Sequence, residues 1–260
     1  MAIVTTDDRH YHNIADTIRE KANVETTYTP EEMPDGIAEV YEAGKKAEHD
    51  RFWNSLMSST SWSCRFYGPS WHDGTFRPSV DIRPTGSAYS LFDSSELSNF
   101  AEILDECGVI FDTSGITTRI DKLFNWCTYI KHIPHVDVRN ASWNATTGGA
   151  YIQQLFYACR LLHTIDGLHL RDDGTDVFNA TFGQCYALEN LTIYGTIGQN
   201  GLGLSESNKL TYDSLMSVIY ALQDKTSVGG TWTVTLGLTN LAKLTDEEKA
   251  IATQKGWTLA

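Results

Sequence analysis

Beyond residue 79 a short alternation keeps returning, two apolar residues flanking one of another kind. It reads Val80-Asp81-Ile82, Val109-Ile110-Phe111, Val136-Asp137-Val138, Leu168-His169-Leu170 and Leu191-Thr192-Ile193, with Val234-Thr235-Leu236 and Trp257-Thr258-Leu259 as extensions. Alternation over three or four residues predicts a strand with one buried face. The first members are 29, 27, 32, 23, 43 and 23 residues apart, mostly within the window of solenoid repeats. A second phrase precedes three of these strands. Leu123-Phe124-Asn125-Trp126-Cys127-Thr128-Tyr129-Ile130 leads to Ile133, Val136 and Val138, and Leu155-Phe156-Tyr157-Ala158-Cys159-Arg160-Leu161-Leu162 leads in the same register to Ile165, Leu168 and Leu170. Thr181-Phe182-Gly183-Gln184-Cys185-Tyr186-Ala187-Leu188 leads to Leu191 and Ile193 after losing one three-residue step, and Leu104-Asp105-Glu106-Cys107 reads as an earlier partial copy.

The shared frame is Phe-x-x-Cys-x-x-apolar, then apolar-x-x-apolar-x-apolar. A spacing of three keeps side chains inward through a turn or short helix, and a spacing of two keeps them inward through a strand, so one coil buries the whole set. Each coil exposes an apolar edge until the next stacks on it. Cysteine is small and favours burial, which makes Cys127, Cys159 and Cys185 equivalent rungs inside the stack.

Residues 1–60 follow a different period and read as a separate helical docking or oligomerisation segment. A first helix is expected over Tyr11 to Lys21, with Ile14 and Ile18 on one face. Thr29-Pro30-Glu31-Glu32 then forms a capping box opening a second helix, along which Ile37, Val40, Tyr41, Gly44, Ala47 and Phe52 recur down to about Leu56. That seam is narrow, so it packs within one chain or pairs with copies of itself; Ile37, Tyr41, Gly44 and Phe52 are the oligomerisation candidates. Residues 61–90 turn to Ser, Pro, Gly and aromatics and read as a junction of short strands and tight turns. Trp62, Phe66, Tyr67, Trp71 and Phe76 there form either a carbohydrate-stacking shelf or the closing end of a hydrophobic core. Residues 91–204 hold the repeats. Residues 205–260 predict helix, strand, helix, strand as a cap: a helix from Asp213 or Ser214 through Leu222, a strand over Thr231 to Leu236, a capping box at Thr245-Asp246-Glu247-Glu248, a stop at Gly256 and a last strand at Trp257.

The Phe-x-x-Cys frame resembles the BspA-type leucine-rich repeat, matched most clearly between residues 123 and 193. The phrases Tyr28-Thr29-Pro30-Glu31-Glu32-Met33-Pro34-Asp35-Gly36-Ile37 and Tyr41-Glu42-Ala43-Gly44-Lys45-Lys46-Ala47-Glu48 resemble the opening of tail-associated structural proteins from phages of gut Firmicutes. Residues 187–202 are similar to the repeat terminus in the same group. The expected fold is therefore α+β: an N-terminal helical segment, a short irregular leucine-rich-repeat solenoid and a C-terminal helix/strand cap. The resemblance implies a non-enzymatic virion protein of a phage tail or fibre. Its expected partners are other virion proteins and a host-surface glycan or protein, and it is expected to form homo-oligomers, trimers being common in such fibres. A bacterial surface adhesin of the same repeat family is the first alternative, and an enzyme acting on cell-wall glycan the second.

Charge narrows the partners. With 20 basic against 33 acidic residues the net charge is −13 and the pI near 4.9, which disfavours nucleic acid and anionic membranes. No apolar run is long enough to span a bilayer, and the N-terminal residues lack a secretion-signal pattern, so synthesis in the host cytoplasm is expected. Five cysteines without a CxxC pair suggest reduced thiols. Chemistry-bearing motifs are sparse: no HExxH, GxSxG, Walker loop or GxGxxG is present. Cys127-x-x-x-x-His132-x-x-His135 comes nearest to a metal site, yet Cys127 belongs to the buried frame; no metal and no cofactor are expected. Cys159, His163 and Asp166 make a hydrolase trio only on paper, because the equivalent phrases carry Lys131 and Glu189 where this one carries His163. Asp172 and Asp173 read as a solvated loop. Stacking instead provides a face, on which outward residues align as Asp137, His169 and Thr192 in one row and Arg139, Arg171 and Tyr194 in the next. With Trp143 as a loop anchor, the binding candidates are Asp137, Arg139, Trp143, His169, Arg171 and Tyr194.

Overall fold

The computed structural model describes residues 33–57, 62–142 and 148–260, with side chains from residue 43 onward. Helix and strand are mixed in an α+β architecture, with no closed barrel among the described residues. The chain divides into two units, Met1–Ser58 and Ser59–Ala260.

In the first unit, helix α1 spans Met33–Met57. The expected first helix and the Thr29 capping box lie outside the described residues. Of the seam residues, Ile37 and Tyr41 are on α1 with side chains outside the description. Gly44 faces open space and Phe52 is half exposed. The buried residue of this stretch is Trp53, whose indole N–H donates to His49 Nε2 at 3.0 Å.

The second unit contains what was expected as junction, repeats and cap. Its most regular feature is a five-residue arch centred on a buried phenylalanine. Phe66, Phe92, Phe124, Phe156 and Phe182 each sit between two residues of left-handed backbone: Cys64 and Gly68, Ser90 and Ser94, Lys122 and Trp126, Gln154 and Ala158, Ala180 and Gln184. The first four arches donate three N–H bonds each to the following stretch of chain. Lys122, Phe124 and Trp126 bond to the carbonyls of Gln153, Leu155 and Tyr157 at 2.8–2.9 Å, and Gln154, Phe156 and Ala158 bond to Asn179, Thr181 and Gly183 at 2.8–3.0 Å. Cys64, Phe66 and Gly68, then Ser90, Phe92 and Ser94, repeat the pattern. A non-glycine residue in this backbone region costs about 1–2 kcal/mol, so an arch persists only where its neighbours hold it. The rings stack in file: Phe66 on Phe92 at 4.8 Å, Phe92 on Phe124 at 5.1 Å, Phe124 on Phe156 at 6.2 Å and Phe156 on Phe182 at 5.4 Å.

Three residues past each of the last three phenylalanines lies a fully buried cysteine, and each thiol donates back to the preceding phenylalanine carbonyl at 3.0 Å: Cys127 to Phe92, Cys159 to Phe124, Cys185 to Phe156. Burial pushes the Cys127 thiol up to about 12, and Cys159 and Cys185 upward for the same reason.

This geometry corrects two expectations. Cys107 is not a rung: it ends helix α2, Phe100–Cys107, and is part-exposed. The rung before Cys127 is Ser95, buried and 3.3 Å from the Cys127 sulfur. Residues 61–90 are not a separate junction, because they carry the first arch and donate into 89–93. Phe66 and Phe76 are fully buried and Trp62 nearly so, closing the end of the core, while Tyr67 is exposed and Trp71 part-exposed.

The other edge of the unit is a parallel sheet. Strands β1, His132–Ile133, and β2, Val136–Asp137, both pair with β4, Thr164–His169, whose far side pairs with β6, Asn190–Tyr194. A second parallel pair, β3 (Tyr151–Gln153) with β5 (Val177–Asn179), lies outside the alternation read from sequence. The expected strands at 80–82 and 109–111 are reduced to one bridge between Ile82 and Phe111.

Helix α3, Tyr212–Ala221, capped by Thr211, covers the edge of β6. Ser214 Oγ accepts from Leu191 N at 2.9 Å and Ser217 Oγ from Ile193 N at 2.8 Å, so two hydroxyls stand where a further strand would bond. Strand β7, Trp232–Val234, pairs in parallel with β8, Trp257–Leu259. Between them lie a short helix not read from the sequence, α4 (Leu238–Leu241), and α5, Asp246–Gln254, which opens with the capping box at Thr245 and Glu248.

Candidate functional site

Polar side chains of differing chemistry converge on the β2–β4–β6 face, and a register shift decides which. β1 and β2 follow β4 at a constant offset of 32 residues: Ile133 faces Ile165 and Val136 faces Leu168. β6 is one residue shorter over the same span, so Ile165 faces Leu191 but Leu168 faces Ile193, with a bulge in β4 at Asp166 and Gly167. The row is therefore Asp137, His169 and Tyr194. Thr192, expected beside His169, lies opposite the bulge, and Arg139 and Arg171 are followed by Thr196, whose N–H bonds to the Arg171 carbonyl.

At the bulge the frame puts His135 on β1–β2 level with Gly167 on β4. A Cβ at Gly167 would collide with His135 Nδ1 and come 2.7 Å from a Tyr194 ring carbon, so glycine is what lets these rings close over the strand. The ring centroids of His135, His169 and Tyr194 lie 5.6–5.7 Å apart, with the two histidines nearly perpendicular.

Asp137 lies beneath them. It was expected to point outward, but it is 6% exposed. Its N–H donates to Thr113 Oγ1, whose hydroxyl in turn donates to the Asp137 carbonyl at 2.9 Å. Its carboxylate accepts from the Arg139 backbone N–H at 3.0 Å and from the Arg139 guanidinium at 2.7–3.2 Å. Burial works to raise the Asp137 carboxyl, but the Arg139 donors outweigh it and hold it below the ordinary carboxylate range. Desolvation and the nearby Arg139 charge lower the His169 imidazole.

Arg171 is a structural tie more than a free contact. Its Nη1 donates to the Arg139 carbonyl at 2.9 Å, its Nε lies 3.4 Å from Asp173, and its backbone N–H bonds to Asp176. Tyr194 is half exposed and available. Trp143 lies outside the described residues.

The other chemical groupings read from sequence do not assemble. Cys127 turns inward to Phe92, while His132 pairs with Asp166 at 2.8 Å and with Glu102 at 3.6 Å. Cys159 is buried on the Phe124 carbonyl, and His163 faces Glu189 at 3.5 Å. What sequence reasoning missed is that His135, Asp137 and His169 offer ligand-type atoms within 4.8 Å of one another. The nearest signal was the 32-residue offset, which places His135 beside Gly167 and Asp137 beside His169 once both strands share one frame.

Comparison with protein-family models, with curated proteins and with solved structures finds no match to this chain. No described helix is long and apolar enough to cross a membrane.

Proposed function

We propose that this chain is a non-enzymatic structural protein of a phage tail or fibre, in which a short leucine-rich-repeat solenoid, closed by a helix/strand cap, presents the β2–β4–β6 face to a host-surface glycan or protein. The observation that supports this most is the arch file: its polar backbone is spent on neighbouring arches and its thiols are buried, so the varied side chains lie on the strand face, as in a scaffold for recognition. Together with the N-terminal phrases, the reading assigns α1 to docking or self-association among virion proteins.

The test is retention of the labelled full chain on envelopes from a panel of Firmicutes. The expected result is saturable binding weakened at least tenfold by Tyr194→Ala at unchanged melting temperature, and recovery of the chain from purified particles by mass spectrometry. Recovery only from bacterial envelopes favours the adhesin reading. Turnover of purified peptidoglycan overturns the non-enzymatic assignment.

A further inference from the structure

We propose that His135, Asp137 and His169 form a binding site for a first-row divalent transition-metal ion of the zinc class. The three donors come from two adjacent parallel segments and comprise two imidazoles and one carboxylate, a set suited to zinc, cobalt or nickel and poorly suited to magnesium, which prefers oxygen and water. A tetrahedral ion with ligands at about 2.0–2.1 Å separates its donors by about 3.4 Å, so side chains whose donors already lie within 4.8 Å need move inward by no more than about 1.5 Å. His135 is exposed and free to make that adjustment, while Thr113 and the Arg139 backbone N–H fix Asp137 from behind in the manner of outer-shell partners. Three protein ligands leave a position for water or for an oxygen donor of a bound molecule.

Arg139 is the competing cation. Its guanidinium occupies the Asp137 carboxylate, but its side chain is 45% exposed and can swing into water as the ion takes its place on the buried carboxylate, leaving the backbone N–H in place. The ion displaces a resident positive charge; the other charged group coupled to His169 is Asp172, which favours a cation. The buried thiols Cys127, Cys159 and Cys185 face inward and are not part of the set.

The test titrates the full-length chain with zinc against a chromogenic chelator and records the visible spectrum with cobalt. One equivalent is expected to bind, with affinity reduced roughly 100-fold or more in His135→Ala and in His169→Ala. His163→Ala should leave it unchanged. Arg139→Gln should tighten binding by about 2- to 5-fold, since it removes the competitor. A second measurement on the unaltered chain guards against misfolded variants: zinc should protect His135 and His169, but not His72 or His163, from diethyl pyrocarbonate, as mapped by mass spectrometry. Zinc stoichiometry indifferent to both histidine substitutions, absence of site-selective protection, or weaker binding in Arg139→Gln each overturns the assignment. These readouts concern the metal alone and do not depend on the recognition reading.

Discussion

The two edges of the Ser59–Ala260 unit solve the same stacking problem differently. On the arch edge, five phenylalanines spaced 26, 32, 32 and 26 residues apart are each flanked by left-handed backbone two residues before and two after, and their rings stack in file. On the strand edge the six-residue differences are absorbed: β3 and β5 insert a second pair, β4 bulges, and β6 ends the sheet against serine hydroxyls. Regularity is enforced where a strained backbone needs its neighbours on both sides. Variation collects where strands tolerate an extra residue, and the imidazoles, the buried carboxylate and the arginines are found there.

The sharpest way to break this contrast is to remove a central ring. Phe124→Ala takes away a side chain stacked on both faces and should lower stability by about 3–5 kcal/mol, whereas His169→Ala, on the strand face, should change it by less than about 0.5 kcal/mol. Equal effects in chemical denaturation would erase the distinction.

Next in size is a pH effect at Asp176. This residue is 1% exposed, and its carboxylate accepts from Ala150 N and Arg171 N, both at 2.8 Å. Burial raises its pKa to about 6. A carboxyl whose folded pKa lies above its unfolded value adds stability below the unfolded value, near 3.8, and loses it as pH rises through 6. The stability of the parent chain relative to Asp176→Asn should therefore fall by roughly 3 kcal/mol between pH 3 and pH 7. A pH-independent difference would mean that the carboxyl is solvated. The Ser214→Ala and Ser217→Ala variants come next, each expected to cost about 1–3 kcal/mol by leaving a β6 N–H without its acceptor. Hydrogen exchange at Leu191 and Ile193 reads this out residue by residue. The smallest effect has an unusual sign. Gln154→Gly relieves left-handed strain at φ 52° and should raise the melting free energy by about 0.5 kcal/mol, where glycine ordinarily destabilises.

Much of the arch edge was legible because Phe-x-x-Cys repeats literally at Phe124, Phe156 and Phe182. The arches at Phe66 and Phe92 were not, since Pro69 and Ser95 stand where the frame expects cysteine. Nor do Lys122, Trp126 and Gln154 announce a left-handed turn as glycine or asparagine would. The cap was readable from Thr245 and Glu248, whose reciprocal bonds are local. The strand-face site was harder to read. Its row depends on a one-residue bulge that aligns Leu168 with Ile193 instead of Tyr194; the sequence phrases paired Leu168 with Leu191, two residues away, which keeps every side chain on its expected face while changing its neighbour. Local pattern thus identified Asp137 and His169 as face residues, but their company, His135 and Tyr194, is a property of register.

The central claim is that Cys127, Cys159 and Cys185 occupy equivalent places within one file. Alkylation of the native chain at pH 8, followed cysteine by cysteine with mass spectrometry, tests it directly. Cys64 should label first and Cys107 more slowly, while the three file thiols stay protected and become reactive together, at one denaturant concentration, when the unit unfolds. Labelling of any one of the three in the native state, or their release at separate denaturant concentrations, would contradict the account.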